Sequence, residues 1–472
     1  MLPAPSAGSS AAIDAPALPR VRRREGGLRF RLRTSGVEPA LRLVLCALRV
    51  AGMLVFGWIS DVFHPAASRS ERRAERAARA ARSLVAVLGD LKGAYVKAGQ
   101  FASLRVDLLP PAAREALATL QDRVSPLPLA SVRKVVEDEL GAPLETLFPR
   151  FDPVPLGTAS IAQVHRAALP DGREVAVKVQ HPWLEASLPA DLALIRGLVG
   201  AHTLVRGRGR VDRQRLLDEF AGTLADELDF VREAEVASEI ASNLANETQI
   251  VVPRIVPTHT TRRVLTMSFH PAVSITDRAA LTRLGVSPGD VLEVLTRAYA
   301  KQVFVDGVFH ADPHPGNLFV LDEPPPGGRP RVLFVDFGLS KRLDPALRRE
   351  LRKGMYALLQ RDLDAFLAGM TRLGMIAPGA EPGIRTAVAA MFERLGTMSG
   401  GPLGLGAGAV LALKDEAKAL LSDTPGLQLP NDLLLYAKTL SYLFALGAAL
   451  DPEVDLMKIA VPYLLRFLAE RE

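Results

Sequence analysis

Phe309-His310-Ala311-Asp312-Pro313-His314-Pro315-Gly316-Asn317-Leu318-Phe319 is the stretch on which the reading of this chain turns. Polar groups and two prolines are crowded between apolar residues, and because proline fixes φ the loop is stiff and holds its side chains open. Nineteen residues beyond Asn317, an apolar strand-like run from Val332 to Val335 ends in Asp336-Phe337-Gly338. Asp312, Asn317 and Asp336 together supply hard oxygen ligands and a proton acceptor, the set that magnesium-assisted phosphoryl transfer needs. His310 and His314 raise the thought of zinc, but no thiol accompanies them and their proline-bound spacing fits no familiar zinc pattern.

Working outward, Glu174-Val175-Ala176-Val177-Lys178-Val179-Gln180 sets one lysine in a β-branched run just after Asp171-Gly172, a hairpin signal. Residues 152–180 alternate like strands, with Val154 to Leu156 and Ala162 to Ala168 as the runs flanking a loop at 157–161. Helical periodicity is expected from about 188 to 247, strand-like segments at 250–256 and 262–268, and mostly helix from Pro288 onward. On the N-terminal side, helix is expected over 69–82 and 83–122. Leu433 to Leu450 is apolar and interrupted by Lys438, which with Tyr436 and Ser441 favours a buried helix of the folded body over a membrane span.

The 472 residues are 48% apolar, enough for a large core and against a disordered scaffold. Cys46 is the single cysteine, so no intrachain disulfide forms, and an intracellular setting is expected. Net charge is +6, but residues 1 to 82 hold fifteen Arg against six acidic residues, leaving the remainder at −3. The basicity therefore belongs to an N-terminal segment, and a nucleic-acid groove is not expected. Arg20 to Arg33 contains seven Arg and adjoins the apolar stretch Leu41 to Ile59, whose longest uncharged run, Val50 to Ser60, is 11 residues. That is short of the roughly 20 that span a bilayer as a helix. With Glu38, Arg42 and Arg49 on one stripe and Val44, Leu45, Leu48 and Phe56 elsewhere, two outcomes stand: an interfacial helix on anionic lipid, or a helix docked on its own domain.

The ordered trio of strand lysine, His-x-Asp-x-x-x-x-Asn and Asp-Phe-Gly resembles the protein-kinase fold, although no one of these motifs is specific alone. Three further stretches narrow the resemblance to the AarF/UbiB family of atypical kinases, whose eukaryotic members are the ADCK proteins. Tyr95-Val96-Lys97-Ala98-Gly99-Gln100 is similar to its Lys-x-Gly-Gln signature, Gly157 to His165 to its Ala-rich nucleotide loop, and Glu227-Leu228-Asp229 to its Glu-x-Asp pair. The resemblance covers residues 90 to about 450.

It implies an α+β, two-lobed protein-kinase-like fold with an N-terminal helical extension carrying the Lys-x-Gly-Gln motif. The expected division is a disordered basic tail over 1–38, the extension over 39–125, an N-lobe over 126–269 and a helical C-lobe over 270–472. ATP and Mg2+ are the implied cofactors. Asp312 is expected as base or orienter of the nucleophile, Asn317 and Asp336 as metal ligands, and Lys178 as the contact to the α- and β-phosphates, held by Glu233. Gly157, Thr158, Ala159 and Ser160 would cover the phosphates, with the main chain at Met267 and Phe269 reading adenine. The run Gly157-Thr158-Ala159 departs from the family's alanines and leaves ATP and ADP as alternatives, and Ser268 stands where an acidic residue is usual. Lys97 and Gln100 would form a gate across the cleft, partnered by Glu227 and Asp229, on the view that residues 226–234 share one helix.

Two absences shape the expected chemistry: no Ala-Pro-Glu anchor follows Asp-Phe-Gly, and Ala311 precedes the expected base, where regulated kinases carry Arg. Protein phosphorylation in trans is therefore disfavoured against ATP hydrolysis or transfer to a small or isoprenoid-lipid acceptor, in support of quinone or related metabolism. The alternative is a nucleotide-sensing scaffold without turnover. Cytoplasmic placement, peripheral on the inner face of the membrane, completes the expectation.

Overall fold

Three small sheets, of five, four and two strands, and the helices stacked on them set the architecture of the described residues. A computed structural model describes it for residues 33–62, 66–104, 116–117, 126–206, 213–323, 329–397, 424 and 426–470. Most of the expected basic tail, residues 1–32, lies outside the described residues, as do 105–115 and 118–122 of the expected helix over 83–122.

Helices α1 (Val37–Val62) and α2 (Ala66–Leu91) pack on each other and lead into α3 (Ala94–Leu104), which carries Lys97 and Gln100. Next come α4 (Leu129–Leu140), the single turn α5 (Leu144–Leu147), and strands β1 (Arg150–Phe151), β2 (Gly157–Thr158), β3 (Ala162–Ala168) and β4 (Glu174–Gln180). Three helices follow, α6 (Leu184–Arg206), α7 (Arg213–Glu227) and α8 (Phe230–Asn243), then strands β5 (Ile250–Val251), β6 (Val264–Ser268) and β7 (Ala272–Ser274). The remaining body is α9 (Arg278–Arg283), α10 (Pro288–Ala300), a π-helical turn at Lys301–Asp306, and strands β8 (Val308–Phe309), β9 (Leu318–Leu321), β10 (Val332–Phe334) and β11 (Lys341–Arg342). It ends in α11 (Pro345–Gln360), α12 (Leu363–Arg372), α13 (Glu381–Thr397), α14 (Asn431–Leu450) and α15 (Leu456–Ala469).

The first sheet runs β1-β3-β4-β6, with β2 continuing along the same edge of β3 as β1. Its pairings are antiparallel, setting Lys178 opposite both Val164 and Leu265. Period-two alternation then divides the sheet. Val175, Val177 and Val179 are buried under α4 with Val135 and Val136, while Ala162 and Leu265 pack on Phe220 and Leu224 of α7 and Phe230 of α8. Lys178 thus emerges toward the α7–α8 side. The second sheet, β5-β10-β9-β7, lies in a core with Ile240 of α8, Leu295 and Tyr299 of α10, and Phe444 of α14. Each large apolar side chain so buried contributes roughly 1.5–3 kcal/mol.

The helical periodicity expected from about 188 to 247 is carried by α6, α7 and α8 among the described residues. Several sequence expectations are corrected. Val154 to Leu156 is not a strand: Asp152 and Leu156 donate to the carbonyls of Arg166 and Val164, and the chain bulges between them because Pro153 and Pro155 lack an N–H for the ladder. The strand expected over 250–256 is confined to Ile250–Val251, cut short at Pro253. Helix α4, after Pro128, was not anticipated.

Two described helices are long and apolar enough to cross a membrane: Val37–Gly57, 18% buried, and Asp432–Leu450, 50% buried. The α1 helix docks through Leu43 onto Leu91 and Tyr95, yet leaves Leu48 65% and Phe56 74% exposed.

Leu295 is fully buried, so Leu295→Ala should lower the free energy of unfolding by about 2–5 kcal/mol in a urea titration. Phe56→Ser should change it by no more than about 0.5 kcal/mol.

Candidate active site

Lys178 is the centre of the site. Its Nζ lies 2.8 and 3.0 Å from the two carboxylate oxygens of Glu233 and 2.8 Å from Oδ1 of Asp336. Strand β4, helix α8 and the end of β10 therefore meet on one ammonium. Burial pushes the Lys178 pKa down, but the charges of Asp336 and Glu233 outweigh it and hold the group above the ordinary lysine range. Burial raises Glu233. Asp336, with a side chain 45% exposed, is held well below the usual carboxylate range: the charge and hydrogen bond of Lys178, with a further pull from Lys97, exceed the opposing effect of burial.

Local sequence sets Glu233 in place. Helix α7 ends at Glu227, and Asp229 caps α8 by accepting from the N–H groups of Val231 and Arg232 at 3.1 and 3.3 Å. Glu233 then falls in the first turn of α8, where the helix dipole favours an anion. The single helix expected over 226–234 is corrected here. Glu227 and Glu233 sit on different helices and serve different lysines: Lys97 lies 2.7 Å from Glu227. Asp229, expected to partner the Lys97 helix, instead caps α8 and lies 4.0 Å from Arg262. Gln100 is half-buried one turn beyond Lys97 on α3, its carbonyl accepting from Ser103.

Asp336 has φ of +61°, a left-handed conformation that costs a non-glycine residue about 1–3 kcal/mol. His310 holds it there. Its Nε2 donates to the carbonyls of Val335 and Asp336 at 3.0 and 2.9 Å, its Nδ1 accepts from the Tyr299 hydroxyl at 3.0 Å, and its own N–H donates to Gln302 in the π-helical turn at 2.9 Å. Burial lowers the His310 pKa, which keeps the ring neutral. His314 is exposed and accepts from the Gly316 N–H, so the two histidines share no site.

Asp312 receives Asn317 Nδ2 on Oδ2 at 2.9 Å and Lys438 Nζ on Oδ1 at 3.1 Å. Lys438, on α14, was read in the sequence only as a charge interrupting an apolar helix. That isolation was the available signal, since an ammonium in an apolar run is costly without a partner.

The stretch expected to cover the phosphates is a tight hairpin. Gly157 and Thr158 form β2, and Ser160-Ile161 is the turn to β3, closed by the Ala159 N–H donating to the Ala162 carbonyl at 2.8 Å. Ser160 is fully buried rather than facing an open cleft. Its carbonyl accepts from Gly93 at 3.2 Å, so the turn is tied to the start of α3. Gly93 has φ of +54°, and a Cβ there would meet Leu184 at 2.7 Å. His181, also unanticipated, staples the turn's other side: its Nε2 donates to Ala159 and its N–H to Ile161, both carbonyls. Of the main chain expected to read adenine, the Phe269 N–H is already donated to Glu174 at 3.1 Å, and Met267 is flanked by Ala176 and Ile255. Both are engaged in sheet contacts, and residues 269–271 connect the first and second sheets.

A sheet bearing the lysine, a helix bearing its glutamate, a loop bearing Asp and Asn, and a strand-end Asp-Phe-Gly define a protein-kinase-like fold. Residues 119–369 match the ABC1 atypical kinase-like domain, and the chain belongs to that family. It is 35% identical over 391 residues to the probable protein kinase UbiB of Marinobacter nauticus, covering 81% of this chain and 69% of that one. It is 33% identical over 406 residues to the Arabidopsis thaliana protein ACTIVITY OF BC1 COMPLEX KINASE 8, chloroplastic, covering 80% of this chain. The chain spans only 53% of that relative's length. Among solved structures, Rv3197 of Mycobacterium tuberculosis, in complex with erythromycin, is 26% identical, with a TM-score of 0.50 over 86% of this chain and 100% of that one.

His181 has its pKa lowered to about 4, chiefly by burial, and His165 and His310 are lowered in the same direction. Below about pH 6.5 the unfolded chain takes up protons that the folded histidines refuse, so stability present above that pH is lost as pH falls. Urea titrations between about pH 7 and about pH 5 should show this fall, and His181→Asn should make it shallower by up to about 1.4 kcal/mol per pH unit.

Proposed function

We propose that this chain is a magnesium-dependent atypical kinase or ATPase that transfers the terminal phosphoryl group of ATP to water or to a small or lipid-like acceptor. The observation that carries this reading is the placement of one buried lysine between Glu233 and the Asp of Asp-Phe-Gly, within reach of a neighbouring strand-turn-strand.

The residues present fit a nucleotide with its metal. Asp336 and Asn317 offer a carboxylate and an amide oxygen, the hard donors magnesium takes, and Asn317 uses its Nδ2 rather than its oxygen toward Asp312. When bound, the metal neutralises charge on the phosphate oxygens and so lowers the barrier to their displacement. Lys178 would hold the α- and β-phosphates, the Gly157–Ala162 hairpin tip would cover them, and residues 269–271 would bound the adenine. Asp312 would accept or orient the proton of the attacking hydroxyl. Lys97 and Gln100 would gate the cleft through the ion pair to Glu227.

A small or isoprenoid acceptor, with a role in quinone or related lipid metabolism, is favoured over a protein substrate by the segment after Asp-Phe-Gly. It is pinned to the catalytic loop: Lys341 and Arg342 pair with Phe309 and Val308, and Leu343 donates to Gly307 at 2.8 Å. A protein docking there would have to displace a strand. The exposed apolar side of α1, with Arg42 and Arg49 on the same helix, is suited to an anionic membrane surface on the cytoplasmic side.

With anionic vesicles present, Asp336→Asn should lower ATP turnover by at least about 100-fold, on the scale of losing a group that stabilises developing charge. Equal rates for native and variant, with nucleotide binding retained, would point instead to a nucleotide-sensing scaffold. The paired substitution Leu48→Ser, Phe56→Ser should shift the protein from floating with anionic liposomes to the soluble fraction; unchanged flotation would exclude α1 as the docking element.

A further inference from the structure

Resting on the phosphotransferase reading, we infer that Lys438 is a positioning residue for Asp312, acting from a helix 126 residues further along the chain. Between Leu433 and Leu450 it is the one charged residue of an apolar helix. Its side chain is 17% exposed, and that of Asp312 is 21% exposed. An ammonium so enclosed is costly unless paired, and its carboxylate partner is the expected base.

The geometry points to orientation rather than mere attachment. Asn317 engages Oδ2 at 2.9 Å and Lys438 engages Oδ1 at 3.1 Å, so both carboxylate oxygens are held and the group's rotation about its last torsion is blocked. Asn317 alone would hold only one of the two carboxylate oxygens. Lys438 is itself held: its Nζ lies 5.5 Å from the centre of the Tyr442 ring, a cation–π contact. One residue on, the Thr439 hydroxyl is 3.2 Å from the carbonyl of Ala311, which immediately precedes Asp312. Tyr436 meets Phe309 edge-on. One face of α14 therefore supports the loop at its start, beside Asp312 and at the carboxylate itself. An apolar substitute could support the first two points but not the third.

The experiment uses the full chain with Mg-ATP and compares it with Lys438→Met, Lys438→Gln and Lys438→Arg, reading kcat, KM for ATP, the affinity for Mg-ADP and the thermal midpoint. A misplaced reacting group costs on the order of 10- to 100-fold in rate. Met and Gln should therefore lower kcat by about that factor while KM and Mg-ADP affinity change less than about threefold, and Arg should recover most of the loss. If the unaltered chain turns over ATP and the Met and Gln variants match its kcat within about twofold, the inference is overturned while the phosphotransferase reading stands. It is also overturned if KM and the midpoint change in step with kcat and Arg fails to rescue, because that marks a structural ion pair. No turnover by the unaltered chain overturns the phosphotransferase reading and this inference with it.

Discussion

One buried ammonium holds the first and second sheets in register. Lys178 stands on the first sheet, Glu233 on the helix between the sheets, and Asp336 at the end of a strand of the second. Removing either carboxylate would leave a buried charge short of a partner, a loss far larger than that of a surface pair. The arrangement also explains why Asp336 tolerates a left-handed backbone: the Lys178 contact and the two carbonyls gripped by His310 fix the conformation from both sides.

Supports reach this centre from three remote parts of the chain. The N-terminal helix α3 pairs Lys97 with Glu227, and Gly93 just before it is tied to the turn at Ser160. The π-helical turn after α10 presents Gln302 to His310. Near the C-terminus, α14 presents Lys438 to Asp312. An apolar helix long enough to span a membrane is thus committed along one face to the stretch from Phe309 to Asp312, and Lys438 is partnered inside the protein.

Much of this was legible in the sequence because the chemistry of the centre is carried by short, ordered motifs: Lys178, the loop from His310 to Asn317, and Asp336-Phe337-Gly338. The long apolar helices could also be read, since burying a stripe imposes its period on the sequence. What the residues did not display were partnerships across distance. Lys438 looked like an interruption because nothing local shows which carboxylate lies across the space, and His181 carried no pattern at all. Helix boundaries failed where a single capping residue decided them, as at Asp229. The run Val154 to Leu156 failed because Pro153 before it and Pro155 within it have no N–H to donate to a ladder, which alternation alone does not show.

The two-residue break at Leu228-Asp229 has a consequence for how this protein can vary. Because an α-helix turns about 100° per residue, adding or deleting one residue at that junction would swing Glu233 away from Lys178 while Glu227 stayed with Lys97. Loop length is ordinarily the freest quantity in a fold, yet here it works as a gear ratio between two ion pairs. Lineages carrying both should tolerate substitutions around the junction far more readily than changes in its spacing.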